Sequence, residues 1–93
     1  MIKSDRDKET EKLAHGRLSR RFPAEIQRRA KMRMDRIEAA VELDDLRVPP
    51  SHCLELLKGD RAGRYSIRIN DQWRVCFDWR DGNAYDGETV DYH

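Results

Sequence analysis

The stretch RYSIRINDQWRVCFDWR, residues 64–80, decides the fold. Through Tyr65, Ile67 and Ile69, and again through Trp73, Val75, Phe77 and Trp79, every second residue is apolar. Between them stand Arg64, Ser66, Arg68 and Asn70, then Arg74, Cys76 and Asp78. Side chains of a strand point alternately to its two faces, so this pattern predicts two strands with one apolar face and one polar, arginine-lined face. Asn70-Asp71-Gln72 is turn chemistry and pairs them as a hairpin.

Working outward, Arg80-Asp81-Gly82-Asn83 turns the chain into a last strand expected near Glu88 to Tyr92. Upstream, Leu54-Glu55-Leu56-Leu57 reads as a short strand, followed by a loop, Lys58 to Gly63, bracketed by two glycines. Val48-Pro49-Pro50 closes a helical first half, because paired prolines supply no backbone donor and disfavour helix before them. Within Ala24 to Leu43, the residues Ile26, Ala30, Met34, Ile37 and Val41 recur at helical spacing and predict one amphipathic helix, with Pro23 at its start. Asp7 to His15 permits a shorter helix that needs tertiary support, with Gly16 as its stop. Met1 to Ser4 is a candidate edge strand. Helices followed by an antiparallel meander define an α+β class, with N-terminal helices packed on one sheet face and the polar face left open.

At 93 residues the chain is expected to be one domain. No apolar stretch approaches a membrane span, and MIKSDRDKETEK lacks the apolar middle of a secretory signal, so a cytoplasmic protein without membrane association is expected. Cys53 and Cys76 are too far apart for a metal motif and read as free thiols. The net charge of +1 conceals a strong pattern. Between Arg17 and Arg36 eight basic residues, including Arg28, Arg29 and Arg33, face two acids. Lys58 to Arg74 carries five bases against two acids, whereas Asp78 to Asp91 carries five acids against Arg80. Such segregation steers a polyanion, although a basic run also serves simply as a solvated helix face.

His15, His52 and His93 show no metal-ligand spacing, and no phosphate loop or nucleophile motif is present. The residues do suit metal-free, cofactor-free cleavage of RNA, in which the 2′-hydroxyl is the nucleophile. That reaction needs a base, an acid and cations for the developing phosphorane charge. Lys58, Arg74, Tyr92 and His93 are sensible parts for it: histidine exchanges protons near neutrality and arginine's planar fork matches phosphate oxygens. The same residues have plainer readings. A terminal Tyr-His is often a frayed tail, and Arg64, Arg68 and Arg74 can instead form cross-strand pairs with Asp78 or Glu88. The residues alone support a nucleic-acid-facing sheet.

Three segments then carry a resemblance: Leu57-Lys58-Gly59-Asp60-Arg61-Ala62-Gly63, the run Tyr65 to Phe77, and the closing Val90-Asp91-Tyr92-His93. Together they resemble the HigB toxins of the RelE/ParE superfamily of type II toxin–antitoxin systems, over essentially residues 1–93. The resemblance implies a microbial-RNase-like fold and ribosome-dependent cleavage of mRNA in the A site. It implies Arg74 as the phosphate-stabilising arginine, Tyr92 and His93 as the catalytic pair, and Lys58 as a second cation. It implies contacts to ribosomal RNA and mRNA, for which Arg64, Arg68, Arg28, Arg29 and Arg33 are the candidates. The implied partner is a HigA-like helix-turn-helix antitoxin, with operator DNA bound only through that complex. Where some HigB toxins carry a histidine three residues before the loop lysine, this chain has Glu55; His52 is out of that register. The alternative is a protein of this fold that cleaves no RNA, either a ParE-like gyrase poison or a catalytically weak antitoxin-binding co-repressor.

Overall fold

The computed structural model describes residues 1–57 and 63–91. Two helices, α1 (Lys8–Ala14) and α2 (Ala24–Ala39), precede four strands, β1 (Glu55–Leu56), β2 (Tyr65–Arg68), β3 (Trp73–Arg80) and β4 (Asn83–Asp91). The strands form one antiparallel sheet in the order β1-β2-β3-β4. Both helices lie against the face that carries Ile67, Val75 and Phe77, as the alternation in residues 64–80 requires. Tyr65 pairs with Phe77 and Ile67 with Val75, so the hairpin register matches apolar side chains across strands. Fully burying each of these large side chains is worth about 1.5–3 kcal/mol, which makes this face the main source of stability.

The helical stripe meets that face. Ile26, Ala30, Met34 and Ile37 are each 2% exposed or less. Phe22, just before α2, packs edge-on against Trp73 with ring centroids 5.5 Å apart. The short α1 does gain tertiary support. Its N-cap Asp7 accepts from the Thr10 backbone N–H at 2.7 Å, and the buried Thr10 hydroxyl accepts from the Thr89 N–H of β4 at 3.0 Å. Gly16, at φ 76°, ends it in the left-handed conformation expected of a glycine stop.

Four expectations are corrected. Helix α2 ends at Ala39, not Leu43, and Val41 is 75% exposed instead of lying on the core stripe. The reason is a competing cap: Asp45 Oδ2 accepts from the backbone N–H groups of Val41 and Glu42 at 3.0 and 2.9 Å. These bonds draw the chain into a 3-10 turn over Leu43–Arg47, which buries Leu46 in Val41's place. The same two hydrogen bonds, Glu42's first, hold the Asp45 carboxyl below its ordinary range.

The last strand begins at Asn83, well before Glu88. A two-residue turn at Asp81 and Gly82, both at positive φ, closes the β3–β4 hairpin directly. The polar Tyr85 to Glu88 segment stays in the strand because the register shifts between Cys76 and Asp78, with Asp86 at φ 53°. Gly87 then lies against the N-terminal segment: a Cβ there would sit 2.9 Å from Asp5 Oδ1. Residues 1–6 run parallel to β4 through isolated bridges, Ile2 to Ala84 and Asp5 to Gly87, rather than forming a full strand.

The polar sheet face is not left open. Ser66 and Cys76, at its centre, are each 0% exposed, and Arg64 is 6% exposed. Over its centre lies the Arg74 side chain, bonded to Ser66 and to the Cys53 carbonyl of the segment preceding β1.

Candidate active site

The register assembles the polar face row by row. Glu55, Ser66, Cys76 and Glu88 lie directly across from one another on the four strands. In the next row Arg68 of β2 pairs with Arg74 of β3, and Arg74 with Val90 of β4. Two guanidinium groups directly opposite each other repel. The structure separates them: Arg68 is drawn into an ion pair with Asp71, in the β2–β3 turn. Arg74 leans the other way. Its Nε donates to Ser66 Oγ at 2.7 Å and its Nη2 donates to the Cys53 carbonyl at 2.5 Å. Arg74 is therefore an oriented, half-buried cation in the polar layer, next to the end of β4.

The other predicted residues divide. Lys58, Tyr92 and His93 lie outside the described residues. Their chain neighbours are placed: Leu57 donates its N–H to the Arg64 carbonyl at 2.7 Å, and Asp91 sits opposite Trp73, beside Arg74. Arg64 is corrected from an RNA-contacting residue to a buried strut. Its Nη2 donates to the Asp86 carbonyl at 2.5 Å, and its Nε lies 3.8 Å from Asp78 Oδ1, a cross-strand pair that steadies the bulged segment. Burial at this position follows from the β4 bulge, which brings the Asp86 carbonyl over the polar face.

On α2, Arg28 is exposed, but Arg33 Nε donates to the Arg68 carbonyl at 2.8 Å and Arg29 reaches the Ile69 carbonyl at 3.5 Å. Arg29 and Arg33 thus strap the helix to the end of β2, a role the charge pattern alone did not reveal. Burial first, then repulsion from Arg29 and Arg36, holds Arg33 below the ordinary arginine range. Glu55 is exposed and, by its pairing with Ser66, shares the face of Arg74.

His52 takes no part in this layer. It is 0% exposed, with Nδ1 3.2 Å from the Leu46 carbonyl. Its Nε2 is buried without a hydrogen-bond partner among the described residues. Burial above all, and the charges of Arg33 and Arg36, depress its pKa below the ordinary 6.5, while the Leu46 carbonyl acts in the opposite sense. The folded state therefore binds this proton less readily than the unfolded chain. Stability contributed by neutral His52 is complete above about pH 6.5 and is lost as pH falls from there toward the lower folded value. Urea unfolding between about pH 5.5 and 7.5 is expected to show this loss in the wild type, and a His52→Gln variant to show a flatter profile. An equal slope in both would reject the assignment.

Among the described residues, no group of three or more His, Cys, Asp or Glu side chains converges as a metal site would require. Cys53 and Cys76 are free thiols, the first exposed and the second buried. No described helix is long and apolar enough to cross a membrane.

A small antiparallel sheet backed by two helices is a fold found among the RelE-like toxins. A solved structure of a YafQ variant from E. coli shares it with a TM-score of 0.65 over 98% of this chain and 93% of that one, at 15% identity. Residues 4–93 match the family model described as the RelE-like toxin HigB of type II toxin–antitoxin systems. The chain is 34% identical over 93 residues, all of both proteins, to Endoribonuclease HigB of Proteus vulgaris. It is 38% identical over 65 residues to Toxin HigB-1 of Vibrio cholerae, covering 70% of this chain and 68% of that protein. The chain belongs to the HigB-like toxin family, and a toxin of a type II system has an antitoxin as its partner.

Proposed function

We propose that this toxin is an endoribonuclease that cleaves mRNA in the A site of the translating ribosome by acid–base chemistry on the 2′-hydroxyl. The observation that carries this reading is Arg74, a guanidinium fixed on the polar face of a HigB-family sheet by Ser66 and the Cys53 carbonyl. The name of the Proteus vulgaris relative supports the reaction class. In the reaction a base takes the 2′-hydroxyl proton, the freed oxygen attacks phosphorus, and an acid returns a proton to the 5′ oxygen as its bond to phosphorus breaks. Tyr92 and His93 are assigned these proton transfers. Arg74, with Lys58 as a second cation, stabilises the charge that develops on the phosphate oxygens.

Arg28 on the exposed face of α2, with the outer edges of Arg29, Arg33 and Arg68, is assigned to ribosomal RNA and mRNA, through contacts that weaken as salt rises. The antitoxin partner is assigned as a HigA-like helix-turn-helix protein, through which alone the toxin meets operator DNA. Primer extension on mRNA after induction tests the whole reading: new 5′ ends at in-frame codons support it. Inhibition of gyrase with intact mRNA would replace it with a topoisomerase poison, and antitoxin binding without growth arrest would replace it with a co-repressor.

Glu55 bears on the same chemistry. Its carboxylate shares the face where a phosphate meets Arg74, and like charges repel. A Glu55→Gln protein is expected to cleave faster than wild type by about three- to tenfold, the effect of roughly 1 kcal/mol of relieved repulsion near a protein surface. Single-turnover cleavage of programmed ribosomes measures it. A slower variant would mean that Glu55 assists the reaction.

A further inference from the structure

The groups that hold Arg74 carry no sequence signature, yet their geometry is specific. Ser66 is two residues before Arg74's direct cross-strand neighbour, Arg68, so Arg74 reaches it diagonally across the β2–β3 ladder. Ser66 is 0% exposed, and its hydroxyl accepts from Arg74 Nε at 2.7 Å. The second acceptor, the Cys53 carbonyl, is delivered by an unusual backbone. Cys53 ends a 3-10 turn over Pro50–His52 in the left-handed conformation, φ 46° and ψ 52°, with its own N–H bonded to the Pro50 carbonyl at 3.0 Å. A non-glycine residue adopts that conformation only when its surroundings impose it. Ser66 Oγ, the Cys53 carbonyl and, at 3.5 Å, the Ser66 carbonyl thus hold the Nε and Nη2 edge of the guanidinium, while Arg68 is drawn aside into its ion pair with Asp71.

We propose that Ser66 is a positioning residue for phosphate cleavage, acting with the Cys53 carbonyl to set the plane of the Arg74 guanidinium before substrate arrives. The inference rests on the assignment of Arg74 to the scissile phosphate. A planar fork must meet the phosphate oxygens edge-on to donate two bonds, and an arginine free to rotate spends part of its binding energy on being ordered. A small misplacement of such a group lowers the rate more than it lowers binding.

The test is single-turnover cleavage of mRNA on programmed ribosomes by Ser66→Ala, Ser66→Thr, Cys53→Val and Arg74→Ala proteins. Ser66→Ala removes one oxygen and is expected to slow cleavage by about 10- to 100-fold with an unchanged half-saturating ribosome concentration. Ser66→Thr keeps the hydroxyl and suits a strand, so it restores most of the rate. In an Arg74→Ala background, Ser66→Ala adds no further loss, because the two act as one unit. Cys53→Val, at an exposed position, places a branched side chain at positive φ, displaces the carbonyl and also slows cleavage, which keeps the test valid if Ser66→Ala does not fold.

A folded Ser66→Ala protein that cleaves at the wild-type rate overturns the proposal, as does a loss that multiplies with that of Arg74→Ala. Full cleavage by Arg74→Ala is a different result: it removes the role of Arg74 itself.

Discussion

An Arg74→Ala protein is expected to lose mRNA cleavage by about 10²- to 10³-fold, the usual cost of deleting one donor aimed at transition-state charge. It should stay folded. The apolar face of β3, with Val75 3% and Phe77 1% exposed, does not depend on the guanidinium. The side chain does supply donors to the exposed Cys53 carbonyl and to the buried Ser66 Oγ, and removing the partner of a buried polar group costs about 1–3 kcal/mol. For a chain of this size each kcal/mol lowers the melting midpoint by about 4–8 °C. The variant should therefore melt measurably lower yet remain cooperative at growth temperature. Arg74→Lys separates charge from shape: it keeps the cation but loses the fork, so most of the activity should still be absent. Growth inhibition on induction, read beside primer extension, measures both. Wild-type toxicity from a folded Arg74→Ala protein would remove the assignment.

Deleting Tyr92 and His93 is expected to have an effect at least as large. Proton transfer by positioned side chains contributes about 10²- to 10⁴-fold, and the proposal places both transfers in these two residues. The sheet should tolerate the deletion. The β3–β4 ladder runs from Arg80 and Asn83 at the turn to Trp73 and Asp91, and Asp91 keeps the hydrogen bond its Oδ2 accepts from Gln72 at 2.9 Å. The deletion thus leaves every pair of the described ladder in place. A truncated protein with a wild-type melting midpoint that produces no new mRNA 5′ ends is the expected result. Tyr92→Phe and His93→Gln then apportion the loss. A folded, truncated protein that still arrests growth through mRNA cleavage would show that the proton transfers lie elsewhere.

Much of the architecture was legible because it is local. The alternation in residues 64–80 set the hairpin and its apolar face, and the helical stripe from Ile26 to Ile37 set the face of α2. Legibility ended where a side chain competed with the backbone. Val41 continues the stripe in spacing, but Asp45 captures its N–H and the helix stops two residues before it. The β4 boundary was misplaced for a related reason. The Tyr85 to Glu88 segment is polar and interrupted by a glycine, yet Asp86 and Gly87 form a bulge within the strand whose glycine accommodates the N-terminal segment.

The candidate site divides along the same line. Composition and spacing singled out Arg74 as a cation on a polar strand face, and no fold was needed for that. Arg64 and Arg33 stand beside it as candidate RNA contacts, and the burial of Arg64 is not visible in the spacing. Arg64 is buried, with Nη2 on the Asp86 carbonyl and Nε 3.8 Å from Asp78, and Arg33 commits its Nε to the Arg68 carbonyl while its outer edge remains. Those partners are remote in sequence and come within reach only through strand register, the bulge and helix docking. Side-chain periodicity is a property of the chain itself, so the sequence alone determined the sheet, its two faces and the helix that backs it. Which arginines became struts, and how Arg74 was oriented on the polar face, only the tertiary structure decided. A long charged side chain takes its role from the acceptors that folding brings within hydrogen-bond distance, and these acceptors are backbone carbonyls and carboxylates that no spacing rule reveals.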